Sequence, residues 1–239
     1  MFNLINKIKN KLSRNSAFRY DYQLFEQLND GRFVLNKKDF FPCLVDSTVS
    51  TVFDPHYIYH PAWAVRILAQ TKPVKHIDIS STLNFCAIVS AFVPVKFYDF
   101  RPAKLNLTNL SSEKADLTNL PFPNGSINSL SCMHTVEHVG LGRYGDPIDP
   151  IGDLKAINEL KRVLAKGGDL LFVVPVGEPK IMFNAHRIYS YNQVVQYFAG
   201  LKLKQFSLVT DSGDFLSDVS SELVAKQNYG CGCFWFKRE

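Results

Sequence analysis

Asp153 to Val174 reads DLKAINELKRVLAKGGDLLFVV, and the fold turns on how this stretch is read. Leu154, Ile157, Leu160, Val163 and Leu164 recur at helical spacing and make one apolar face. Lys166-Gly167-Gly168 ends the helix, because glycine enters left-handed backbone geometry at little cost. Leu170 to Val174 is then apolar without alternation, the pattern of a strand covered on both faces. A helix running into a doubly covered strand predicts a sheet with helices on both sides.

The same alternation extends outward in both directions. Val74 to Ile79 is a β-rich run that ends in Ser80-Ser81-Thr82, and Leu83 to Phe92 follows as an apolar helix. Val95 to Asp99 is a second strand closed by an acid; Ala115-Asp116 lies near the end of a third, weaker one; Ser126 to Cys132 is a fourth. Downstream come a helix over Tyr191 to Phe198, a strand over Leu201 to Val209, and Cys233 to Phe236 closing the sheet. This order predicts an α/β fold with a doubly wound, mostly parallel sheet over residues 71–239.

Residues 1–70 read as an N-terminal helical and loop extension, a lid or platform rather than a separate domain. A helical stretch covers Tyr20 to Leu28, and His60-Pro61-Ala62-Trp63 opens a second helix with an early proline. At the very start, Phe2, Ile5, Ile8 and Leu12 share a helical face beside Lys7, Lys9, Lys11 and Arg14. Residues 1–14 are therefore either a packed helix or an interfacial helix that makes peripheral contact with an anionic membrane.

Composition narrows the class. In 239 residues, 46% are hydrophobic, enough for a full core, and the net charge of +5 is far below that of a nucleic-acid-coating protein, so no nucleic-acid partner is expected. No apolar run reaches the length of a transmembrane helix. Cys43, Cys86 and Cys132 read as small core residues. Cys231-Gly232-Cys233 is one residue short of the zinc-knuckle spacer, so these read as reduced thiols of a cytoplasmic protein.

The element order, the acid at Asp99 and the turn at 164–168 resemble class I S-adenosylmethionine-dependent methyltransferases, with a Rossmann-type sheet. Asp116 to Pro123 followed by Ser126 to Leu130 looks like the segment leading into their fourth strand. A narrower resemblance rests on Glu137 to Pro150 (EHVGLGRYGDPIDP), on Phe183-Asn184-Ala185-His186-Arg187 and on Tyr229-Gly230-Cys231-Gly232-Cys233. These are similar to the signature of the DUF268 family, which occurs among bacterial surface-polysaccharide genes. One departure stands out: the first loop, Asp78-Ile79-Ser80-Ser81-Thr82, holds no glycine where the class is usually glycine-rich.

The resemblance implies roles. S-adenosylmethionine would meet Asp78, Ser80 and Ser81, with Asp99 on the ribose hydroxyls and Asp116 near the adenine. Each acid has a plainer use: Asp99 as a cap or a partner of Arg101, Asp116 as a turn cap. His134-Thr135-Val136-Glu137-His138 spells an inverted zinc-protease motif, but its place after a fourth strand argues against a protease. If the segment is helical, His134 and His138 share a face. His134, Glu137, His138 and His186 form a candidate divalent-metal set, and His138, His186 and Glu137 are the candidate catalytic groups. Arg143, Tyr144, Asn184 and Arg187 are candidate substrate contacts, the arginines for a phosphate or for salt bridges to Asp146, Asp149 or Asp153.

His56, Tyr57, Tyr59, His60 and Trp63 gather before the sheet as sugar-stacking or core residues. The expected activity is O-methylation of a sugar in a surface glycan or its nucleotide- or lipid-linked precursor. A nucleotide-sugar transferase and a non-enzymatic scaffold in polysaccharide assembly are the alternatives.

Overall fold

The computed structural model describes the backbone of residues 2–239 and the side chains of residues 13–239. The chain divides into two units, Met1–Phe53 and Asp54–Glu239. In the first, helix α1 (Phe2–Leu28) begins well before the predicted Tyr20. A 3-10 turn at Lys37–Asp39 is capped by Asn36, which accepts from the Lys38 N–H. Phe40 stands edge-on to Phe18 and Tyr22, with ring centres 5.3 and 4.6 Å away. Cys43 is exposed rather than a core residue. The apolar face Phe2, Ile5, Ile8 and Leu12 lies outside the described side chains. No described helix is long and apolar enough to cross a membrane.

The second unit opens with α2 (Pro55–Thr71). Its start differs from the expectation at His60. Asp54 is the N-cap, accepting from the His56 and Tyr57 N–H groups, with Pro55 in the first turn, and Pro61 lies inside the helix. Then follow β1 (His76–Ile79), α3 (Leu83–Val89), β2 (Val95–Asp99), β3 (Leu110–Lys114), β4 (Ile127–Met133), α4 (Gly152–Val163) and β5 (Leu164–Val176). A small hairpin, β6 (Lys180–Met182) and β7 (His186–Ile188), leads to α5 (Tyr191–Tyr197). The chain ends with β8 (Lys202–Val209), β9 (Phe215–Ser217), α6 (Ser221–Val224) and β10 (Gly230–Lys237).

The main sheet has the order β3-β2-β1-β4-β5-β10-β8-β9. The pairs from β3 to β5 are parallel, and β10 is antiparallel to both β5 and β8. The resulting sheet is mostly parallel and doubly wound. One face packs α4 and α5 through Ile157, Leu160, Phe172, Phe198 and Phe234. The other packs α2 and α3 through Trp63, Leu68, Phe85, Val173 and Cys231. Helix α4 ends before the glycines, at Val163, where Leu164 is already extended and pairs with Ile127; Gly167, at φ +76°, instead lies in a bulge of β5 that holds three more residues than the facing stretch of β4.

A polar chain crosses this core. The His76 ring is hydrogen-bonded to Ser129 and Ser131 hydroxyls, each at 2.8 Å, and Ser131 donates to Asp78. Asp78 also accepts from the Ser81 N–H at 3.0 Å. Burial drives the His76 pKa down to about 3, so the folded state holds it neutral while the unfolded chain protonates near the ordinary imidazole value. The stability it contributes is complete above that ordinary value and is lost as pH falls toward 3. Unfolding in urea at pH 7.5 and pH 5 should show the wild type losing about 2 kcal/mol more than His76→Gln over that interval. Equal losses would place no proton-linked cost on His76.

Candidate active site

The parallel strands carry their carboxyl ends to one rim, where ligands bind in such sheets. A cleft of about 310 Å³ opens there, lined by Ser80, Asp99, Asp116, His134, Thr135, His138, Tyr144 and others. Asp99 ends β2 and accepts the Arg101 N–H at 2.7 Å through one oxygen. Its partner at Arg101 is thus the backbone, not the guanidinium. Asp116 caps its own turn, accepting from the Thr118 N–H and hydroxyl at 2.8 Å each. Both acids face the cleft.

The glycine-free loop reaches the usual geometry by another route. Ser80 itself adopts φ +56°, where glycine is the default residue. Its strain is offset by hydrogen bonds: Ser80 N–H donates to Tyr98 O at 2.8 Å, and Thr135 Oγ1 donates to Ser80 O at 2.8 Å. Asp78 and Ser81 do not line the cleft. Asp78 is fully buried and pinned to Ser131, and Ser81 Oγ accepts the Met133 N–H at 3.0 Å. They support the loop from beneath, so a direct cofactor contact falls to Ser80 alone among the three.

Beyond β4 the chain turns at His134 (φ +54°) into a 3-10 turn, Val136–His138. It is not the α-helix that would stack His134 over His138, yet both still meet Glu137. His134 Nδ1 lies 2.9 Å from Glu137 Oε1 and His138 Nε2 lies 3.8 Å from it. Glu137 is 1% exposed, and burial pushes its pKa up to about 7. Burial lowers all the surrounding imidazoles, His134 to about 4 and His60 to about 3. His138 and His186 shift down as well, each first by burial and against the pull of Glu137. His138 Nδ1 is 2.6 Å from Ala185 O. A carbonyl only accepts, so Nδ1 carries the hydrogen and Nε2 is left with a lone pair.

The glycine loop is closed on Asp146, which accepts the N–H groups of Gly140, Gly142 and Tyr144. Gly140 takes φ +80° and a side chain there would collide with Asp149. Two guanidiniums stand against the Tyr144 ring, Arg101 at 4.7 Å and Arg143 at 5.1 Å from its centre. Arg143 is exposed and donates to Ala185 O at 3.0 Å. Asn184 is exposed on the β6–β7 hairpin. Arg187 corrects the expectation of a substrate contact. It is buried, donates to Val139 O at 2.7 Å and pairs with Asp153 at 3.6 Å, so its guanidinium fastens the 139–150 loop.

His138 and His186 are neighbours, with ring centres 6.4 Å apart, but the donors of His134, Glu137, His138 and His186 do not gather as one metal cluster. Among the described residues the donors that do converge are those of His56, His134 and Cys231, all within 4.8 Å of one another. The sequence reading left His56 open and took Cys231 as a plain thiol. The His56-x-x-x-His60 spacing on one helix face was the signal available for the first.

Residues 121–228 match the family described as Caenorhabditis protein of unknown function, DUF268, and residues 65–172 match the methyltransferase domain family. Each match covers less than half of the chain, and the two overlap on a fold of the class I methyltransferase type. Curated proteins give no match. Among solved structures, the YcgJ protein of Bacillus subtilis is 14% identical, with a TM-score of 0.51 over 74% of this chain and 99% of that one. A Bacillus halodurans protein assigned to the methyltransferases is 13% identical, with a TM-score of 0.51 over 75% and 99%. The [4+2]-cyclase SpnF is 12% identical, with a TM-score of 0.51 over 74% and 81%. At these identities the likeness concerns the fold.

The methyltransferase-domain match implies S-adenosylmethionine as cofactor, and the cleft suits it. Asp99 stands half-exposed at the end of β2 as an acceptor for vicinal hydroxyls, Ser80 lines the cleft beside it, and Phe100 and Leu117 add apolar lining for a base. Asp99→Ala removes hydrogen bonds to a charged group worth about 1.5–3 kcal/mol. Calorimetry with S-adenosylhomocysteine should then show affinity falling roughly tenfold to a hundredfold, with the melting temperature unchanged. Unaltered affinity would put the ribose elsewhere.

Proposed function

We propose that this protein transfers a methyl group from S-adenosylmethionine to a hydroxyl of a sugar, in a surface glycan or its nucleotide- or lipid-linked precursor. The observation that carries the reading is His138: a neutral imidazole at the cleft, its Nδ1–H tied to Ala185 O and its Nε2 lone pair 3.8 Å from a buried carboxylate. A sugar hydroxyl is a weak nucleophile near neutral pH, and its attack needs a base to take the proton.

The bound cofactor supplies a methyl group on a positively charged sulfur. Asp99 orients it by accepting from the ribose, and the Asp116 turn shapes the far end of the cleft. An acceptor hydroxyl would donate to His138 Nε2, which would take its proton; the cofactor, when bound, would give up its methyl group to that oxygen and keep the sulfur electron pair as a neutral thioether. Glu137 stabilises the imidazolium so formed, while the Ala185 carbonyl keeps the ring from turning. Arg101 and Arg143, both held against the Tyr144 ring, put two cations at the cleft, which suits an acceptor carrying phosphate. His186, 4.8 Å from the Tyr229 ring, flanks the same side as a second imidazole. The reaction belongs on the cytoplasmic side, where the cofactor is made, with residues 1–14 as a peripheral membrane contact for lipid-linked acceptors.

His138→Ala should lower kcat by about 10²–10⁴ and leave S-adenosylhomocysteine affinity intact. Since burial lowers the His138 pKa, wild-type kcat/KM should fall only below the ordinary imidazole range, and that acid limb should vanish in the variant. Methyl transfer from labelled cofactor to extracted glycan precursors provides the assay. Full activity in His138→Ala would remove it as the base, and binding of nucleotide-sugars without S-adenosylhomocysteine binding would overturn methyl transfer itself.

A further inference from the structure

Five of the six histidines of this chain, His56, His60, His134, His138 and His186, lie at or behind the cleft. They are linked by ring contacts: His56 to His134 at 5.5 Å, His60 to His134 at 5.1 Å and His138 to His186 at 6.4 Å between centres. Their hydrogen bonds leave acceptors without donors. His60 Nδ1 is 2.6 Å from His56 O, so its Nε2 carries a lone pair, and that nitrogen is buried with no partner. His134 Nδ1 bonds to Glu137 Oε1, and His134 Nε2 is likewise buried without a partner among the described residues. Glu137 Oε2 is in the same condition. Buried polar atoms in folded proteins are paired with few exceptions, and this group of exceptions stands together. Arg143, the cation nearest to His138, is exposed on the outer side, bound to Ala185 O.

We propose that His56, His134 and Cys231 bind a zinc-class divalent ion behind the cofactor cleft. The three donor atoms lie within 4.8 Å of one another. Ligands of a tetrahedral zinc with bonds of about 2.0–2.3 Å stand roughly 3.3–3.8 Å apart, so small side-chain rotations close the site. The donors come from three separate elements, the first turn of α2, the turn after β4 and the start of β10, and the ion would tie them together.

The chemistry of the set selects the metal. Two imidazoles and a thiolate suit zinc, whereas magnesium and calcium take oxygen ligands. Ion binding releases the Cys231 proton and turns the buried thiol into a thiolate. The His134 tautomer is already set: Glu137 accepts from Nδ1–H, which leaves Nε2 for the metal, the carboxylate–histidine–metal arrangement common around zinc. Three protein donors leave a fourth position of the tetrahedron open, as in catalytic rather than purely structural sites. His134 also lines the cleft, so the open position borders the acceptor side. The site stands on its own geometry and does not require methyl transfer.

The full chain, stripped of metal by chelator and dialysed, provides the test. Titration with Zn²⁺ should show about one equivalent bound with proton release, and Co²⁺ substitution should give a thiolate-to-cobalt charge-transfer band. His56→Ala and Cys231→Ser should each weaken zinc binding at least about a hundredfold and Cys231→Ser should abolish the band, while Cys233→Ser and Cys43→Ser keep both. X-ray absorption at the zinc edge of the wild type needs no variant and should report one sulfur and at least two imidazole nitrogens. No bound equivalent, a shell without sulfur, or a band that survives Cys231→Ser would overturn the proposal.

Discussion

The two-sided pairing of β5 is the constraint on which the rest of this molecule depends. On one edge β4 runs parallel to it, from Ile127 opposite Leu164 to Met133 opposite Val173. On the other, β10 runs antiparallel, with Gly230 opposite Val176 and Lys237 opposite Asp169. The parallel side brings the end of β4, and so His134, Glu137 and His138, to the carboxyl rim. The antiparallel side brings the start of β10 to the same rim, which is why Cys231 faces the turn that follows β4. Helix α2 precedes β1 and runs back along the sheet, so its first turn, with His56, arrives there too. Segments some 175 positions apart in the chain thereby share one site.

The electrostatics of that rim follow from burial. A carboxylate at 1% exposure, hemmed in by imidazoles, gains less from solvent than it loses, and Glu137 titrates near neutrality. The same desolvation holds the histidines neutral and nucleophilic at their free nitrogens. A group of neutral bases around a half-ionised acid is able to take a proton from an acceptor hydroxyl. It is equally able to hold a cation. The arginines of the region divide between outside and inside: Arg101 and Arg143 stand against Tyr144 at the mouth, whereas Arg187 is consumed in fastening the 139–150 loop to Asp153.

Much of the fold was legible because it rests on local pattern. The unbroken apolar run Leu170 to Val174, the acid after Val95 to Tyr98 and the helical face of α4 each state their structure within a few residues. Misreadings occurred where a longer-range fact decided. Cys43 has apolar neighbours in sequence yet is exposed. The Asp54-Pro55 pair starts α2 earlier than His60-Pro61 suggested, since a capping carboxylate outweighs a proline tolerated inside the helix. The Asp78 and Ser81 side chains turn under the loop because Ser131 and Met133 on β4 receive them, a pairing across 53 and 52 positions. His56 and Cys231 were individually visible, yet their meeting depends on the reversed direction of β10, which no local pattern reveals.

Under the proposed function this rim is a methyl-transfer site, with Asp99 holding the cofactor and His138 facing the acceptor. A crystal structure of the full chain with S-adenosylhomocysteine tests it most directly. Ribose hydroxyls should lie within hydrogen-bond distance of the Asp99 carboxylate, with the sulfur turned toward His138 Nε2. Ligand bound elsewhere, or a cleft that stays empty at saturating ligand, would contradict it.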